Sequence, residues 1–336
     1  MAARRPATIE DVAREAGVSR QTVSNVLNSP AIVRDATRER VRAAISHLGY
    51  APHASARRLR TRRSSTIGVH LDPYAGGISG VVLDRFVHAL TEDASARGLR
   101  VLLYAARSPE EEIHRMGELM DGGDIDAVVV SGTFHGDPRT EWLVARELPF
   151  VSFGRPWGAD DFDSPAHLWV DVDGAAGTRA ATRFVRDRAG SRIAFLGWPA
   201  GSETGDDRER GWREAMHEAG DAGPRLVAEE RVALAREVAA RALQEHELDA
   251  IVCASDSLAI GAHLAAVAAG RTSLQITGFD NTPAVEALGL TSVEQLPERV
   301  AAGALDLLIG AGGAIEQRSA LPGEAHVLVE PRLVVR

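Results

Sequence analysis

Three polar side chains suited to contacting DNA bases, Arg20, Gln21 and Asn25, lie close together near the N-terminus. Arginine can form paired hydrogen bonds with the edge of guanine in the major groove, and glutamine or asparagine can do so with adenine. Thr22 and Ser24, in the same stretch, carry hydroxyls suited to phosphates. If residues 20–28 form a helix with these side chains on its outer face, the chain has a surface for double-stranded DNA.

The elements that would position this surface are three short helices. Thr8 and Ser19 are placed to cap the first two, and Gly17 is placed to end the first. Apolar residues recur at helical spacing in each segment. They are Ile9, Val12, Ala13 and Ala16, then Val23, Val26 and Leu27, then Val41, Ala44, Ile45 and Leu48. This pattern predicts a helix-turn-helix, and the alternative is a plain three-helix bundle with a solvated polar face.

Charge is distributed unevenly along the chain. Residues 1–65 contain 13 arginines and 5 acidic residues, whereas the remaining residues carry a balance of -17 within an overall charge of -9. A basic head favours a polyanion because neutralised phosphates release counterions. Charge alone does not distinguish DNA from RNA or from a membrane surface.

A short arginine-rich stretch follows the third predicted helix. Pro52 should end that helix, and residues 53–60 (HASARRLR) have helix-forming residues but little apolar surface. Such a short helix is marginal in water, so we expect it to order only when its charges meet phosphates. The alternative is a flexible linker, continuing through residues 62–65.

The rest of the chain alternates apolar runs with helical patterns. This alternation predicts doubly wound parallel sheets in two lobes, with a ligand cleft between them. The runs are TIGVHL, LRVLLY, DAVVVS, PFVSF, HLWVDV, RIAFLG, DAIVCA, LQITGF and AHVLVE. Neither phosphate-binding glycine loops nor the HExxH or GxSxG motifs occur, so we predict no enzyme, no catalytic residues and no cofactor.

Other composition features bear on location and metals. No apolar run is long enough to span a membrane, and the N-terminal residues do not resemble a secretory signal, which favours the cytoplasm. Cys253 is the only cysteine, so an internal disulfide and a cysteine-built zinc site are excluded, and no metal is predicted.

Two segments carry a specific resemblance. TIEDVAREAGVSRQTVSNVLN and TRERVRAAISHLGYAPHASARRLR resemble the head of the lactose/galactose-repressor (LacI/GalR) family, and the resemblance continues to LVEPRLVVR at the end of the chain. It implies that the helix from Ser19 enters the major groove, with Arg20, Gln21 and Asn25 contacting bases. The positions that it places nearer the DNA backbone are Thr8, Ser19, Thr22, Ser24 and Asn28.

The resemblance also implies a role for the arginine-rich stretch. In this family two hinge helices pair across a dimer axis and insert a leucine, here Leu59, into the minor groove. Ala56 and Arg57 fit the same pattern. His53 and Arg34 depart from it, because the family usually has a capping asparagine and a helix-starting serine there.

In the body, the resemblance implies a periplasmic-binding-protein-like effector domain. Arg208, in TGDDRERGW, matches the family arginine that reaches into the cleft. Asp72, Asp256 and Asp280 match acidic positions at strand ends, with helix-cap chemistry as the alternative. Ser255 lies where asparagine is common, Arg231 replaces a usual aromatic region, and AGGISG replaces an Asn-Pro-aromatic run. We include Ser255 among the ligand-binding candidates.

The tryptophans are further candidates because sugars stack on indole rings. Trp157, Trp169, Trp198 and Trp212 flank predicted strand ends, and the alternative role for each is packing. We include Trp198 in the predicted site. FGRPWG, GWPAGS and DDRERGW also resemble family members that respond to glucosides, including oligosaccharides.

Together these features predict a homodimer that binds a near-palindromic operator and represses carbohydrate-utilisation genes until a sugar releases it. The alternatives are a sugar-binding protein without a DNA role and an enzyme on a similar fold. The predicted domains are residues 1–52 (DNA binding), 53–65 (hinge and linker) and 66–336 (effector binding and dimerisation). We predict lobe one at about 66–170 and 298–325, and lobe two at about 171–297 and 326–336.

Overall fold

A computed structural model describes residues 5, 7–50, 63–71, 80–158, 164, 166–310, 313–316 and 325–336, without the side chain of Asn28. The chain divides into two compact units, Met1–Ser64 and Ser65–Arg336. Within the described ranges, no helix is both long and apolar enough to cross a membrane.

The described residues of the first unit form three α-helices around a small core. They are α1 (Ile9–Ala16), α2 (Arg20–Asn28) and α3 (Asp35–Leu48), with a 3-10 turn at Pro30–Ile32. Its buried residues are Val12, Ala13, Ala16, Val23, Val26, Val41 and Ala44. The predicted apolar residues Ile9, Leu27, Ile45 and Leu48 pack against this core from partly buried positions.

Local signals set the ends of these helices. The Thr8 hydroxyl accepts a hydrogen bond from the Asp11 backbone N–H, and the Asp11 carboxylate accepts one from the Thr8 N–H, forming a capping box. Gly17 ends α1 with φ 61°, and Ser19 caps α2 through the Thr22 N–H. At α3 the cap position is Arg34, which makes no side-chain capping bond in the described head.

The second unit contains two six-stranded sheets, which define a first lobe and a second lobe. The first-lobe strands are β1 (Thr66–Leu71), β2 (Arg100–Ala105), β3 (Ala127–Ser131), β4 (Phe150–Phe153), β5 (Trp169–Val172) and β11 (His326–Val329), in the order β11-β5-β4-β3-β1-β2. The second-lobe strands are β6 (Ile193–Gly197), β7 (Arg225–Val227), β8 (Ala250–Cys253), β9 (Gln275–Phe279), β10 (Thr291–Glu294) and β12 (Arg332–Val334), in the order β12-β10-β9-β8-β6-β7. All strand pairs are parallel except β10 with β12.

Helices alternate with the strands of both sheets. They are α4 (Gly80–Ala96), α5 (Pro109–Asp121), α6 (Pro138–Ala145), α7 (Gly174–Ala189), α8 (Thr204–Glu218), α9 (Val232–Glu245), α10 (Asp256–Ala268), α11 (Pro283–Ala287) and α12 (Pro297–Leu308). All nine predicted apolar runs form strands. The short strands β7, β10 and β12 were not predicted, and two of them lie at sheet edges, where a strand needs few apolar residues.

The chain passes between the two sheets three times, after β5, after β10 and after β11. The predicted boundary that places residues 326–329 in lobe two is wrong, because β11 pairs in parallel with β5 in the first sheet. The change of sheet comes at Glu330 and Pro331, where proline interrupts the extended segment before β12.

Candidate functional site

The exposed face of α2 presents the three predicted base-contacting side chains. Arg20 is exposed, and its Nη1 lies 3.5 Å from the Glu10 carboxylate, which is also exposed. The Gln21 side-chain amide donates a hydrogen bond to Asn25 Oδ1 at 3.0 Å. Since Gln21 and Asn25 lie one turn apart, this bond holds their two amides side by side on the surface of the helix.

The predicted backbone-contacting residues also serve the helix ends. The Ser19 and Thr22 hydroxyls are 2.9 Å apart, and the Thr8 hydroxyl donates to the Asp11 carboxylate at 2.7 Å. Ser24 is half-buried on α2. The Asn28 side chain and residues Ala56, Arg57 and Leu59 lie outside the described part of the chain.

A cavity of about 230 Å³ lies between the two lobes of the second unit, with strand ends of the first sheet and the N-terminal turn of α8 around it. This is where ligands bind in open α/β sheets, beyond the carboxyl ends of the strands. Its polar side chains come from both lobes and from one of the segments that connect them. They are Ser131, Thr133, Asp171, Thr204, Asp207, Arg208 and Gln295. Its apolar side chains are Val82, Leu83, Phe153, Trp157 and Val172.

Arg208, on α8, is buried at the cavity wall. Its Nη1 donates to the Ala254 carbonyl at 2.6 Å, and its guanidinium lies 3.8 Å from the centre of the Phe279 ring. The Nε is buried and has no hydrogen-bond partner among the described residues. Burial lowers the pKa of the guanidinium, and the negative charge of Asp280, followed by that of Glu230, opposes this shift. The site therefore holds a desolvated cation whose Nε makes no hydrogen bond within the described residues.

Two buried carboxyls lie behind this arginine. Asp280 Oδ1 is 3.8 Å from Arg208 Nη1 and accepts a hydrogen bond from Gln295 at 2.6 Å. Asp256 accepts from the Thr282 N–H and the Ser292 hydroxyl, both at 2.6 Å. Burial raises the pKa of Asp280 to about 8 and that of Asp256 to about 6.

Glu230 joins two of the predicted residues. Its Oε2 accepts from Trp198 Nε1 at 2.5 Å and from the Ser255 hydroxyl at 2.7 Å. Ser255 also caps α10 through the Leu258 N–H, and the Trp198 ring centre lies 5.4 Å from the Arg208 guanidinium. Glu230 therefore fixes the indole and contributes negative charge near Arg208.

The first-lobe wall of the cavity is braced by a buried arginine. Arg139 donates to the Ser131 carbonyl at 3.2 Å and to the Gly132 carbonyl at 3.0 Å, and it pairs with Glu112 and Asp137. The Ser131 hydroxyl has no hydrogen-bond partner within the described ranges, although it is buried and belongs to the cavity lining. Ser131 is thus a second cavity-lining residue with a buried polar atom that has no partner in the described part of the chain.

The structure brings most of the predicted ligand residues together, in two layers. Of these residues, Arg208 lines the cavity. The residues that lie around or behind Arg208 are Trp198, Ser255, Asp256 and Asp280, and Asp72 is outside the described part of the chain. Trp169 stacks on His326, and Trp212 stacks on Phe195, so both pack within their lobes.

Sequence reasoning missed several members of the site: Ser131, Asp171, Asp207, Glu230 and Gln295. Ser131 and Asp171 carried a usable signal, because each is a polar residue at the end of a predicted apolar run. The others carried none, since their place depends on how α8 and the connecting segments approach the sheets. Across the described residues, no group of His, Cys, Asp and Glu side chains is arranged to hold a metal ion.

Comparison with known families matches the two units separately. Residues 8–53 match the model for bacterial regulatory proteins of the lacI family, and residues 81–306 match that for periplasmic binding proteins and the sugar binding domain of the LacI family. The chain belongs to the LacI family. It is a DNA-binding transcriptional regulator with a sugar-binding effector domain, and the relatives that it matches are regulators rather than enzymes. The predicted family, fold class and general function are confirmed.

Individual LacI-family proteins resemble the chain over most of its length. The transcriptional regulator CelR of Thermobifida fusca is 33% identical, with 89% of each chain covered, and AglR of Rhizobium meliloti is 31% identical, with 76% of this chain and 72% of the relative covered. Among solved structures, a regulatory protein of the LacI family from Chloroflexus aggregans matches with a TM-score of 0.72 at 32% identity, covering 81% of this chain and 97% of that protein. A CelR–cellobiose complex matches with a TM-score of 0.66 at 28% identity, covering 98% and 99%.

Proposed function

We propose that this LacI-family protein is a homodimeric repressor of carbohydrate-utilisation genes, released from its operator by a glucoside or an oligosaccharide. One observation carries the ligand class: Arg208 Nε and Ser131 Oγ are buried without partners among the described residues, and both residues line one cavity with Asp171, Asp207 and Gln295. Sugar hydroxyls both donate and accept hydrogen bonds, so they suit a wall that mixes donors and acceptors. The relatives support this choice, since one of them is named as a cellobiose complex.

On the DNA side, we assign Arg20, Gln21 and Asn25 to base contacts and Thr8, Ser19, Thr22, Ser24 and Asn28 to the backbone. A single recognition helix covers few base pairs, so a two-fold dimer on a near-palindromic operator would double the contacts. Ala56, Arg57 and Leu59 remain assigned to a minor-groove hinge.

The proposed domains remain residues 1–52, 53–65 and 66–336, with the lobe boundary after β11 corrected as above. We assign the protein to the cytoplasm, where the operator is.

The proposed control is a shift between two arrangements of the effector domain. The lobes are joined by three chain segments and also contact each other directly, since the His135 N–H in the first lobe donates to Glu203 Oε1 in the second at 2.8 Å. A sugar that binds one arrangement more tightly would shift the population towards it, and operator affinity would change by that differential affinity alone.

Two measurements on the full-length protein test the proposal. Fluorescence anisotropy with the DNA upstream of the gene should give tighter binding than random duplex at moderate salt, and a saturating sugar should weaken it. Thermal shift against cellobiose, maltose, raffinose and ribose should identify that sugar. Sugar binding without any preference for an operator would favour the alternative, a sugar-binding protein without a DNA role.

A further inference from the structure

Trp157 has an unusual position at the cavity. It follows β4 in the first lobe, is half-buried, and contributes to the cavity lining. It does not belong to the hydrophobic clusters of the described residues. An indole that lines a cavity and lies outside those clusters is available for a role other than packing within a lobe.

The backbone at Trp157 is strained. Its φ is 62°, in the left-handed region that is unfavourable for a bulky side chain. Strained backbone conformations concentrate at ligand sites, where the surrounding structure maintains them. At Trp157 the recorded neighbour of the ring is the Arg155 guanidinium.

Arg155 covers one side of the indole. Its guanidinium lies 4.7 Å from the centre of the Trp157 ring, within the range of a cation–π interaction. The guanidinium is itself fixed, since Nε donates to Asp171 at 2.5 Å and Nη2 donates to the Val172 carbonyl at 2.9 Å. It also lies 3.6 Å from Asp207 in the second lobe. The ring is therefore held from one side by a cation that has several partners of its own.

We propose that Trp157 is a stacking platform for a pyranose ring in the cavity and that Arg155 positions it. This inference rests on the proposed sugar-binding function. A pyranose with equatorial hydroxyls, such as a β-glucoside, exposes apolar C–H groups on the faces of its ring and hydroxyls around its edge. The indole would cover such a face, while Asp171, Asp207 and Gln295 would accept or donate at the edge. Ribose lacks the C6 hydroxymethyl group and carries an axial hydroxyl in its pyranose form, so it offers a smaller and less uniform apolar face, and the platform would favour glucopyranosides.

The test measures sugar affinity in Trp157→Phe, Trp157→Ala and Trp157→Gly variants of the full chain by calorimetry, with cellobiose, maltose, raffinose and ribose as probes. Trp157→Gly is included because glycine tolerates this φ, so its fold does not depend on the ring. Trp142→Phe is the matched control: this tryptophan also pairs with an arginine, Arg146 at 5.0 Å, but packs against α5 residues away from the cavity.

We expect Trp157→Ala and Trp157→Gly to weaken binding of the best pyranoside about tenfold, equivalent to about 1.4 kcal/mol. Trp157→Phe should recover part of this loss because it keeps an aromatic face. The quenching of tryptophan fluorescence by that sugar should also shrink in all three variants and persist in Trp142→Phe. Operator affinity without sugar should stay unchanged.

Two results would overturn the inference in distinguishable ways. If wild-type protein binds a pyranoside and the Trp157 variants bind it within twofold, the platform is wrong and the proposed function stands. If wild-type protein binds none of the four sugars, the proposed function fails and the platform fails with it. Equal losses for pyranosides and ribose would also contradict the stacking argument, because they would indicate a general disturbance of the cavity.

Discussion

The face of α2 that we propose for DNA binding and the cavity that we propose for the effector present their polar side chains in opposite ways. On α2 the functional side chains are close in sequence, lie on a helix whose other face is packed, and include exposed Arg20 and Gln21. The cavity gathers Ser131, Asp171 and Arg208 from segments far apart in the chain, and buries each of them. One surface is ready to exchange water for DNA, whereas the other maintains buried charges by pairing them.

This difference determines what each region tolerates. An exposed polar side chain on α2 can be replaced with little effect on folding, since surface substitutions usually change stability by less than about 0.5 kcal/mol. A buried ionised side chain in the cavity balances its neighbours, and removing it leaves a partner unpaired. Substitutions in the head should therefore separate function from stability, and those in the cavity should often affect both.

The largest effect is expected for Arg208→Ala. This change removes the buried donor group that faces the cavity, and hydrogen bonds to charged groups contribute about 1.5–3 kcal/mol each. We expect sugar affinity, measured by calorimetry, to fall about 10- to 150-fold for each bond lost, while operator affinity without sugar is retained. Arg183→Ala is the control, because Arg183 forms an exposed pair with Glu218 on the second lobe. A normal response of Arg208→Ala to sugar would mean that the ligand binds elsewhere.

Gln21→Ala should have the next largest effect, and on the other function. Loss of a paired base contact costs about 1–3 kcal/mol, so specific operator affinity in anisotropy should fall roughly 5- to 150-fold. Binding to random duplex and to sugar should be unchanged, and Ser46→Ala on the exposed side of α3 serves as the control. Equal losses on specific and random DNA would show that Gln21 contacts only the backbone.

The same contrast explains what could be predicted from sequence. Helical spacing alone located Val12, Val23 and Val41 in the core of the head, and Thr8 and Ser19 at helix starts, because these signals are local. In the body, alternation predicted nine of the twelve strands found among the described residues, but Glu230 and Gln295 were missed. Glu230 contacts Trp198 and Ser255, and Gln295 contacts Asp280, so their roles arise only when segments that follow different strands meet, and no periodicity encodes such contacts.

A smaller effect is expected for Asp280→Asn, on the pH dependence of stability. Burial raises the pKa of Asp280 to about 8, above its usual value of 3.8, so between these values the folded protein holds a proton that the unfolded chain releases. Stability from this group is complete below about pH 4 and is lost as the pH rises towards 8. The melting temperature should therefore decline from pH 5 to pH 8.

Asp280→Asn should remove most of that decline, roughly three quarters of it, because Asp256, whose pKa is raised to about 6, contributes only between pH 5 and about pH 6. Asp249→Asn is the control, because Asp249 is paired with Arg192 near the surface and its pKa is lowered. The stabilisation that Asp249 contributes is therefore complete at pH values above its unfolded pKa, and it does not change between pH 5 and pH 8. An identical slope in wild type and Asp280→Asn would contradict a protonated Asp280.

The smallest effect is expected for Thr8, which has two proposed roles that use one hydroxyl. As the cap of α1 it accepts from the Asp11 N–H, and as a donor it is engaged by the Asp11 carboxylate. Thr8→Ala should cost about 1 kcal/mol, which speeds hydrogen exchange of the first amides of α1 about fivefold, whereas Thr8→Ser should restore protection. If operator affinity falls in Thr8→Ala and returns with Thr8→Ser, the hydroxyl also serves DNA. If hydrogen exchange of the α1 amides changes while operator affinity does not, the Thr8 hydroxyl only stabilises the helix, and the proposed contact between Thr8 and the DNA backbone is wrong.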